Sequence, residues 1–342
     1  MSYTFSRFSL LLLLCILCSI TSTITQTDEA RKERGDKTLV EEVVIKLEKT
    51  NPAPVKRPGV MPWMCLEICD SPEDVQVQLE TLRSKVRLLT AISFEKYVLF
   101  DDCTLGSPNS YLAAQSPPSP PLSEVTVDVQ AMGLQAWPLI SSWPHPPEFM
   151  DFIRQLFKTE CADRFIDATI VEANLHGYTG YNLDWEPTAS NATKPVTSED
   201  AIQYANFVDR FAKRLHTHGY LLTVDVATWV TVPGGPSFWD YSALNATAVD
   251  SAISMGTYTG NDASFTNQLK LINDAFGTGK DGRATVGLQT INASSGMPLS
   301  DEEVAFRFKS MSEANVYNVA LWKTPIPDNF WEPLERFVGG WE

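Results

Sequence analysis

The chain has 342 residues, of which 44% are hydrophobic and 11% aromatic. This composition is typical of a globular protein with a sizeable core and excludes a largely disordered chain. The formal net charge of −15 at pH 7 argues against nucleic acid as a partner, because phosphate binding relies on clustered Lys and Arg. We therefore expect one large domain that binds no nucleic acid.

The first 58 residues differ in composition from the rest of the chain. Residues 1–26 place Arg7 before the apolar run Leu10–Ile20 and end in a short polar stretch, which predicts a cleaved secretory signal peptide. An uncleaved signal anchor is the alternative, although the apolar run is too short to span a bilayer comfortably. Residues 27–58 are rich in charge and predict a leader or propeptide that we expect to be mobile. A domain over 59–342 would then be secreted or lysosomal, without contact to a membrane after signal cleavage.

The cysteines and the glycosylation sequons agree with export. Four cysteines follow the predicted signal, and they allow three disulfide pairings: Cys65, Cys69, Cys103 and Cys161. Neither Cys nor His follows with the spacing of zinc ligands, and we expect no metal and no cofactor. Three Asn-x-Ser/Thr sequons are candidate glycan sites: Asn191, Asn245 and Asn292.

From Gly59 onward, apolar runs typical of strands alternate with amphipathic segments typical of helices. Eight runs predict strands: Val60–Ile68, Leu89–Phe94, Leu134–Ser141, Gly180–Glu186, Leu221–Thr228, Ser251–Tyr258, Ala284–Thr290 and Val319–Trp322. The segments between them predict helices: Pro72–Val86, Pro147–His176, Ser198–His218, Ser264–Phe276, Ser300–Ala314 and Asn329–Phe337. The Pro/Ser-rich stretch Ser107–Ser123 predicts a loop.

Eight strands that alternate with helices predict an α/β fold, a single-domain (β/α)8 TIM barrel. A doubly wound open sheet is the structural alternative, but no Gly-x-Gly-x-x-Gly loop follows the first strand. In a barrel the functional side chains lie at the carboxyl ends of the strands. The predicted strands carry polar or aromatic residues there: Glu67, Glu95, Ser141, Ser142, Asp184, Glu186, Asp225, Tyr258, Gln289 and Trp322.

The fourth predicted strand carries polar side chains on alternate residues. Asn182, Asp184 and Glu186 share one face of a strand, whereas Leu183 and Trp185 share the other. Two carboxylates about 7 Å apart along a strand repel each other and lose hydration, so that one of them holds a proton near neutral pH. Such a group can act as a general acid.

This strand resembles the signature Asp-x-x-Asp-x-Asp-x-Glu of family 18 glycoside hydrolases, the chitinases and chitobiases. Thr179-Gly-Tyr-Asn182-Leu-Asp184-Trp-Glu186 keeps the last Asp and the Glu. The segment Phe165–Tyr178 is similar to the family's helix before that strand, Ser254–Tyr258 to its Met-x-Tyr-Asp motif, and Ala320–Trp322 to its eighth-strand tryptophan. Trp137–Trp143 is loosely similar to its third strand. The resemblance covers most of the predicted barrel.

The resemblance implies a retaining hydrolysis of β-linked N-acetylglucosamine oligosaccharides, chitin fragments or N-glycan cores, in which the substrate's acetamido oxygen is the nucleophile. It implies that Glu186 is the acid/base, that Asp184 orients the acetamido group and stabilises the oxazolinium ion, and that Tyr258 hydrogen-bonds the acetamido group. Asn182 is a further candidate catalytic-site residue, which lies behind Asp184 and lacks the negative charge of the family's aspartate. Further candidates for substrate binding are Trp322 as a stacking platform, together with Trp143, Trp229, Asp225 and Gln289.

Two alternatives remain open at this stage. Gln289 leaves the seventh strand without a carboxylate, and Asp225 is the spare acid that a two-carboxylate mechanism would require. Departures from the family pattern at Thr179, Asn182 and Thr259 favour a catalytically weak or inactive chitinase-like protein that binds sugars. Asn182 nevertheless resembles the asparagine at the same position in lysosomal di-N-acetylchitobiases. This resemblance implies that an asparagine here is compatible with activity. The sequence does not determine the oligomeric state.

Overall fold

The structure is a computed structural model and describes residues 59–66, 69–107, 125–187, 195–229 and 237–340. The predicted signal peptide and leader lie outside the described residues, as do Glu67, Asn191 and nearly all of the predicted loop Ser107–Ser123.

Eight parallel strands form a closed barrel, which confirms the predicted fold. They are β1 (Gly59–Met64), β2 (Ala91–Leu99), β4 (Gln135–Ser141), β5 (Gly180–Asp184), β6 (Leu221–Val226), β7 (Ser251–Ser254), β8 (Ala284–Gln289) and β9 (Asn318–Trp322). The barrel closes because β1 pairs in parallel with both β2 and β9. The short strand β3 (Leu105–Gly106) pairs antiparallel with the end of β2.

Helices surround the strands. They are α1 (Pro72–Ser84), α2 (Val125–Ala131), α3 (Phe149–Gln155), α4 (Thr159–His176), α5 (Ser198–His216), α6 (Tyr241–Asn245), α7 (Asp262–Phe276), α8 (Asp301–Glu313) and α9 (Trp331–Gly339). Short 3₁₀ turns lie at Val86–Leu88 and Asp328–Phe330. Capping boxes at Ser71, Thr197 and Ser300 begin α1, α5 and α8, because each cap side chain accepts a backbone N–H that the helix leaves free.

Two features of the helical layer differ from the prediction. The single helix predicted over Pro147–His176 is two helices, α3 and α4, separated at residues 156–158. The break carries neither Gly nor Pro, so the sequence does not mark it. It lets both helices bury apolar residues, Ile153 from α3 and Phe165 from α4. The helices α2 and α6 are also additional to those predicted.

The barrel has two apolar layers. The larger layer lies between the strands and the helices. The smaller one fills the barrel interior with side chains that alternate along the strands: Met61, Trp63, Ala91, Trp137, Leu139, Ile253 and Ala320. The interior is thus packed over most of its length, as expected for eight strands.

Two disulfides select one of the three pairings that the sequence allows. Cys65 is bonded to Cys69, and Cys103 is bonded to Cys161. The second bond joins the turn after β2 to α4, which are distant in sequence. Within the described ranges, the structure contains no helix with the length and apolar character needed to cross a membrane.

Two of the predicted glycan sites have different environments. Asn245 is exposed at the end of α6. Asn292 is buried, and its Nδ2 donates hydrogen bonds to Glu303 Oε1 at 2.6 Å and to Gly260 O at 3.3 Å. A glycan on Asn292 replaces one hydrogen of Nδ2 and requires at least one of these hydrogen bonds to break, so Asn245 is the better placed of the two.

Candidate active site

Strand β5 places its polar side chains inside the barrel and its apolar ones outside. Asn182 hydrogen-bonds within the barrel, whereas Leu183 is fully buried toward the helices. Trp185 also faces the helices and stacks on Phe207 of α5, with ring centroids 5.5 Å apart. The alternation predicted for this strand therefore separates the polar face from the packing face.

A cavity of about 170 Å³ opens at the carboxyl ends of the strands. Carboxylates and aromatic rings line it together: Asp184, Glu186, Asp225, Tyr258, Trp63, Trp229 and Trp322, with Leu139 and Met255. Four strands each carry one of these carboxylates or aromatic rings: β1, β5, β6 and β9. The structure therefore brings predicted site residues from several strands into one place.

Asn182 joins three elements by hydrogen bonds. Its Oδ1 accepts from Trp63 Nε1 at 2.5 Å and from Ser93 Oγ at 3.3 Å. Its Nδ2 donates to Asp225 Oδ1 at 2.8 Å. These bonds fix the orientation of the amide. Its oxygen must face the two donors, and its nitrogen must face the Asp225 carboxylate.

Of the three carboxylates of the cavity, Asp225 is buried and Asp184 and Glu186 are partly buried, and the pKa values of all three lie above their ordinary range. Burial raises the pKa of Asp184 strongly, and the negative charges of Glu186 and Asp225 raise it further. Burial likewise raises the pKa of Asp225, whereas the hydrogen bond from Asn182 lowers it. Burial raises the pKa of Glu186. The cluster therefore retains protons at a pH where exposed carboxyls have lost them.

Glu95 adds a fourth carboxyl near this group, in the middle of β2, where the pairing register with β4 shifts. Ser141 Oγ donates to its Oε1 at 2.6 Å. Burial raises the pKa of Glu95 to about 7, although the Ser141 hydrogen bond and the charge of Lys323 lower it. Lys323 Nζ lies 3.6 Å from Asp70 Oδ2, so this cation is shared between two acids.

The backbone around Glu186 is held by the neighbouring strand. The Glu186 N–H donates to Ser142 Oγ at 3.1 Å, and the Ser142 N–H donates to Asp184 O at 2.9 Å. Ser142 Oγ also lies 3.0 Å from His145 Nδ1, and burial lowers the pKa of that histidine. These contacts position the Glu186 carboxyl even though this residue follows the end of β5.

The aromatic residues divide into those at the cavity and those beside it. Trp322 meets Trp63 edge-on, with ring centroids 6.1 Å apart, and Trp229 is half-exposed at the rim. The described lining does not include Trp143, which packs edge-on against His145, or Gln289, which pairs in register with Trp322. Substrate contacts of these last two residues stay a prediction.

Trp63 was not among the predicted site residues. This residue lies on β1, lines the cavity and donates to Asn182. Its alternation with Met61 along an inward-facing strand was the available signal. The described residues contain no group of three or more His, Cys, Asp or Glu side chains arranged to hold a metal ion.

Comparison of the coordinates with solved structures places the barrel among chitinases. A chitinase from Chromobacterium violaceum superposes with a TM-score of 0.62 at 12% identity, over 82% of this chain and 98% of that one. The spore cortex-lytic enzyme SleL of Bacillus megaterium gives 0.60 at 14%, over 83% and 75%. A class V chitinase from Nicotiana tobaccum in complex with NAG4 gives 0.60 at 13%, over 83% and 99%.

The fold is that of chitinases. This result agrees with the family 18 resemblance of the sequence at the level of fold. No family model matches the sequence, and no curated protein matches it in sequence.

Proposed function

We propose that the protein is a retaining glycosidase that hydrolyses β-linked N-acetylglucosamine oligosaccharides by a substrate-assisted mechanism. The observation that carries the proposal is the presence of Asp184 and Glu186, both partly buried and with raised pKa values, in one cavity with Trp322 and Tyr258. The chitinase fold and the NAG4 complex of the tobacco enzyme support the choice of sugar. The proposal places this chain in family 18 of the glycoside hydrolases.

In the first step, the protonated Glu186 carboxyl donates its proton to the glycosidic oxygen. The carbonyl oxygen of the substrate's own acetamido group attacks C1, and the bond from C1 to the leaving sugar breaks. Asp184 accepts a hydrogen bond from the acetamido N–H and stabilises the positive charge of the resulting oxazolinium ion, because a fixed anion in a buried site interacts strongly with a developing cation. Tyr258 orients the acetamido group.

In the second step, the Glu186 carboxylate takes a proton from water, whose oxygen attacks C1 and opens the oxazolinium ring. Two displacements at C1 retain the β configuration. Trp322 forms an apolar floor for the sugar ring, and Trp63 extends that floor beside it. No protein nucleophile takes part, so Asp225 is not required to form a covalent intermediate.

Turnover of fluorogenic chitobiose-type substrates between pH 4 and 7 tests the proposal. Glu186→Gln removes the transferable proton but keeps the shape of the side chain, and we expect kcat to fall by roughly 100-fold to 10,000-fold. Glu302→Gln is the matched control, because Glu302 is exposed on α8. Proton NMR of the first product gives its anomeric configuration, for which we expect the β form.

Three results contradict parts of this proposal. Turnover that survives Glu186→Gln contradicts the role of Glu186 as the acid. An α product contradicts the retaining mechanism and favours a direct attack by water with Asp225 as base. Binding of chitooligosaccharides without any turnover contradicts hydrolysis and favours the sugar-binding alternative, to which the uncharged Asn182 is suited.

The pH dependence of turnover follows from the burial of Glu186. The carboxyl must be protonated for the first step, and burial raises its pKa. The acid form therefore persists to a higher pH than in an exposed glutamate, and activity is lost as the pH rises through this raised pKa. We expect kcat to be highest on the acidic side of neutrality, as measured by a kcat profile from pH 4 to 8. A profile that rises through neutrality contradicts this assignment.

A further inference from the structure

Asp225 lies on the strand beside the reactive residues of β5. The register pairs Leu183 with Val224, and its continuation by one residue sets Asp184 beside Asp225. Neighbouring strands are about 4.8 Å apart, and both side chains line the same cavity. The two carboxyls are therefore neighbours across the sheet, closer than two acids on alternate positions of one strand.

The hydrogen bonds of Asn182 make this arrangement specific. Because Asn182 Nδ2 donates to Asp225 Oδ1 at 2.8 Å, one oxygen of Asp225 has a fixed partner. Asp184 Oδ1, by contrast, is buried and has no hydrogen-bond partner among the described residues. A buried carboxyl oxygen without a donor is costly as an anion. Asp225 thus has a hydrogen-bond donor for one of its oxygens, whereas the neighbouring Asp184 has none for Oδ1.

We infer that Asp225 is a positioning residue that shares a proton with Asp184 and keeps one negative charge behind the reacting sugar. Asp225 holds the negative charge when the cavity is empty, because it accepts a hydrogen bond from Asn182, and Asp184 holds the proton. When a cation develops at C1, the charge moves to Asp184 and the proton to Asp225. The total charge of the pair remains constant, and no external acid or base is required.

Titratable groups from several neighbouring elements lie near this pair. Glu186 adds a like charge from the segment just after β5, and Glu95 adds one from β2. Tyr258 after β7 and Tyr204 on α5 lie close enough to feel the charges of Asp184 and Asp225. Both tyrosines stay neutral, because burial and the nearby acids raise their pKa values. The charge of the pair is therefore set by the neighbouring carboxyls and by the hydrogen bond from Asn182.

The inference rests on the proposed function, and a charge exchange between positions 182 and 225 tests it. Asp225→Asn removes the charge but keeps a carbonyl that accepts from Asn182, so we expect kcat to fall about 100-fold with little change in KM. The double variant Asn182→Asp/Asp225→Asn returns a carboxylate to the cluster and keeps a hydrogen bond between the two positions. We expect it to recover at least about tenfold of the lost kcat. Asp281→Asn, at an exposed site, is the matched control.

A second measurement does not depend on turnover. Carbon-13 NMR of labelled aspartate carboxyls, assigned with Asp184→Asn, follows the titration of Asp184 in the folded protein. Asp225→Asn removes a neighbouring negative charge, so the Asp184 midpoint falls to lower pH. The double variant returns it toward the wild-type value. Thermal melts confirm that the variants are folded.

The outcomes separate the two proposals. An unchanged Asp184 midpoint in Asp225→Asn overturns the inference, whether or not the protein hydrolyses sugars. Wild-type kcat in Asp225→Asn, or a double variant no faster than Asp225→Asn, also overturns it. A wild-type protein without turnover contradicts the hydrolase alone, since the NMR midpoint still decides whether the two carboxyls share a proton.

Discussion

Asn182 lies at the centre of the hydrogen bonds in the candidate active site. It accepts from Trp63 and Ser93 and donates to Asp225, so an uncharged side chain orients its surroundings without adding to the negative charge beside Asp184. A carboxylate at this position would increase the repulsion among Asp184, Glu186 and Asp225. The asparagine is therefore compatible with an active site whose charge lies on the neighbouring strand.

Replacing Trp63 tests the importance of this orientation. Trp63→Phe removes the N–H that donates to Asn182 Oδ1 and leaves that buried oxygen with the longer bond from Ser93. We expect a loss of about 1–3 kcal/mol in the free energy of unfolding and a lower kcat. Urea denaturation and the chitobiose-type assay measure the two effects.

The control for this change is Trp137→Phe. Trp137 also lies in the barrel interior, and its Nε1 donates to Gln135 Oε1 at 3.1 Å near the amino ends of the strands. We expect Trp137→Phe to lower stability and leave kcat unchanged. Equal kcat values for the two variants would show that the Trp63 hydrogen bond has no role in the reaction.

Among the elements, the end of β5 links the active site to the helical layer. Trp185 follows Asp184 and precedes Glu186, and it packs between Phe149 of α3, Phe165 of α4 and Phe207 of α5. Because one large ring contacts three helices, the chain on either side of it has little freedom. The carboxyls of Asp184 and Glu186 are therefore held by packing on the opposite face of the same segment.

Truncating Trp185 should affect both stability and catalysis. Trp185→Ala leaves a large cavity between β5 and three helices, and we expect the free energy of unfolding to fall by about 3–5 kcal/mol. We also expect kcat to fall, because Glu186 is no longer held in place.

Trp229→Ala is the comparison, since Trp229 is half-exposed at the rim. We expect this change to alter stability by less than about 0.5 kcal/mol and to raise KM through the loss of a sugar contact. Calorimetry and steady-state kinetics on both variants provide the measurements. A large loss of stability in Trp229→Ala would contradict its assignment to the rim.

On the scale of the whole molecule, closure of the barrel and the two disulfides join distant parts of the chain. The pairing of β1 with β9 joins residues near both ends of the described barrel. Cys65–Cys69 closes a loop with a sequence separation of 4, whereas the separation of Cys103–Cys161 is 58. A crosslink restricts the unfolded chain more when the loop that it closes is longer.

Removal of each disulfide should therefore have a different effect. We expect replacement of Cys103 and Cys161 by Ser to lower the free energy of unfolding by about 4 kcal/mol, and replacement of Cys65 and Cys69 by about 2 kcal/mol. Guanidinium denaturation of the two double variants, under non-reducing conditions, measures the difference. A larger loss for the Cys65/Cys69 variant would contradict the loop-entropy explanation.

Much of the barrel was predictable because its signals are local. The eight strands follow from apolar runs, and the inward face of β5 follows from the period of two at Asn182 and Asp184. The break between α3 and α4 was not predictable, because no Gly or Pro marks it. Trp63 was missed for a different reason: its indole N–H acquires a role only when β1 lies across the barrel from β5.

The sequence by itself determined the fold class, the strand that carries Asp184 and Glu186, and the separation of its polar face from its apolar face. These features depend on neighbours along the chain. The tertiary structure alone decided which of the three disulfide pairings forms, which aromatic residues line the cavity, and that Asn182 donates to Asp225. Such contacts join residues far apart in sequence, and their geometry exists only after the barrel has closed and set the register between strands.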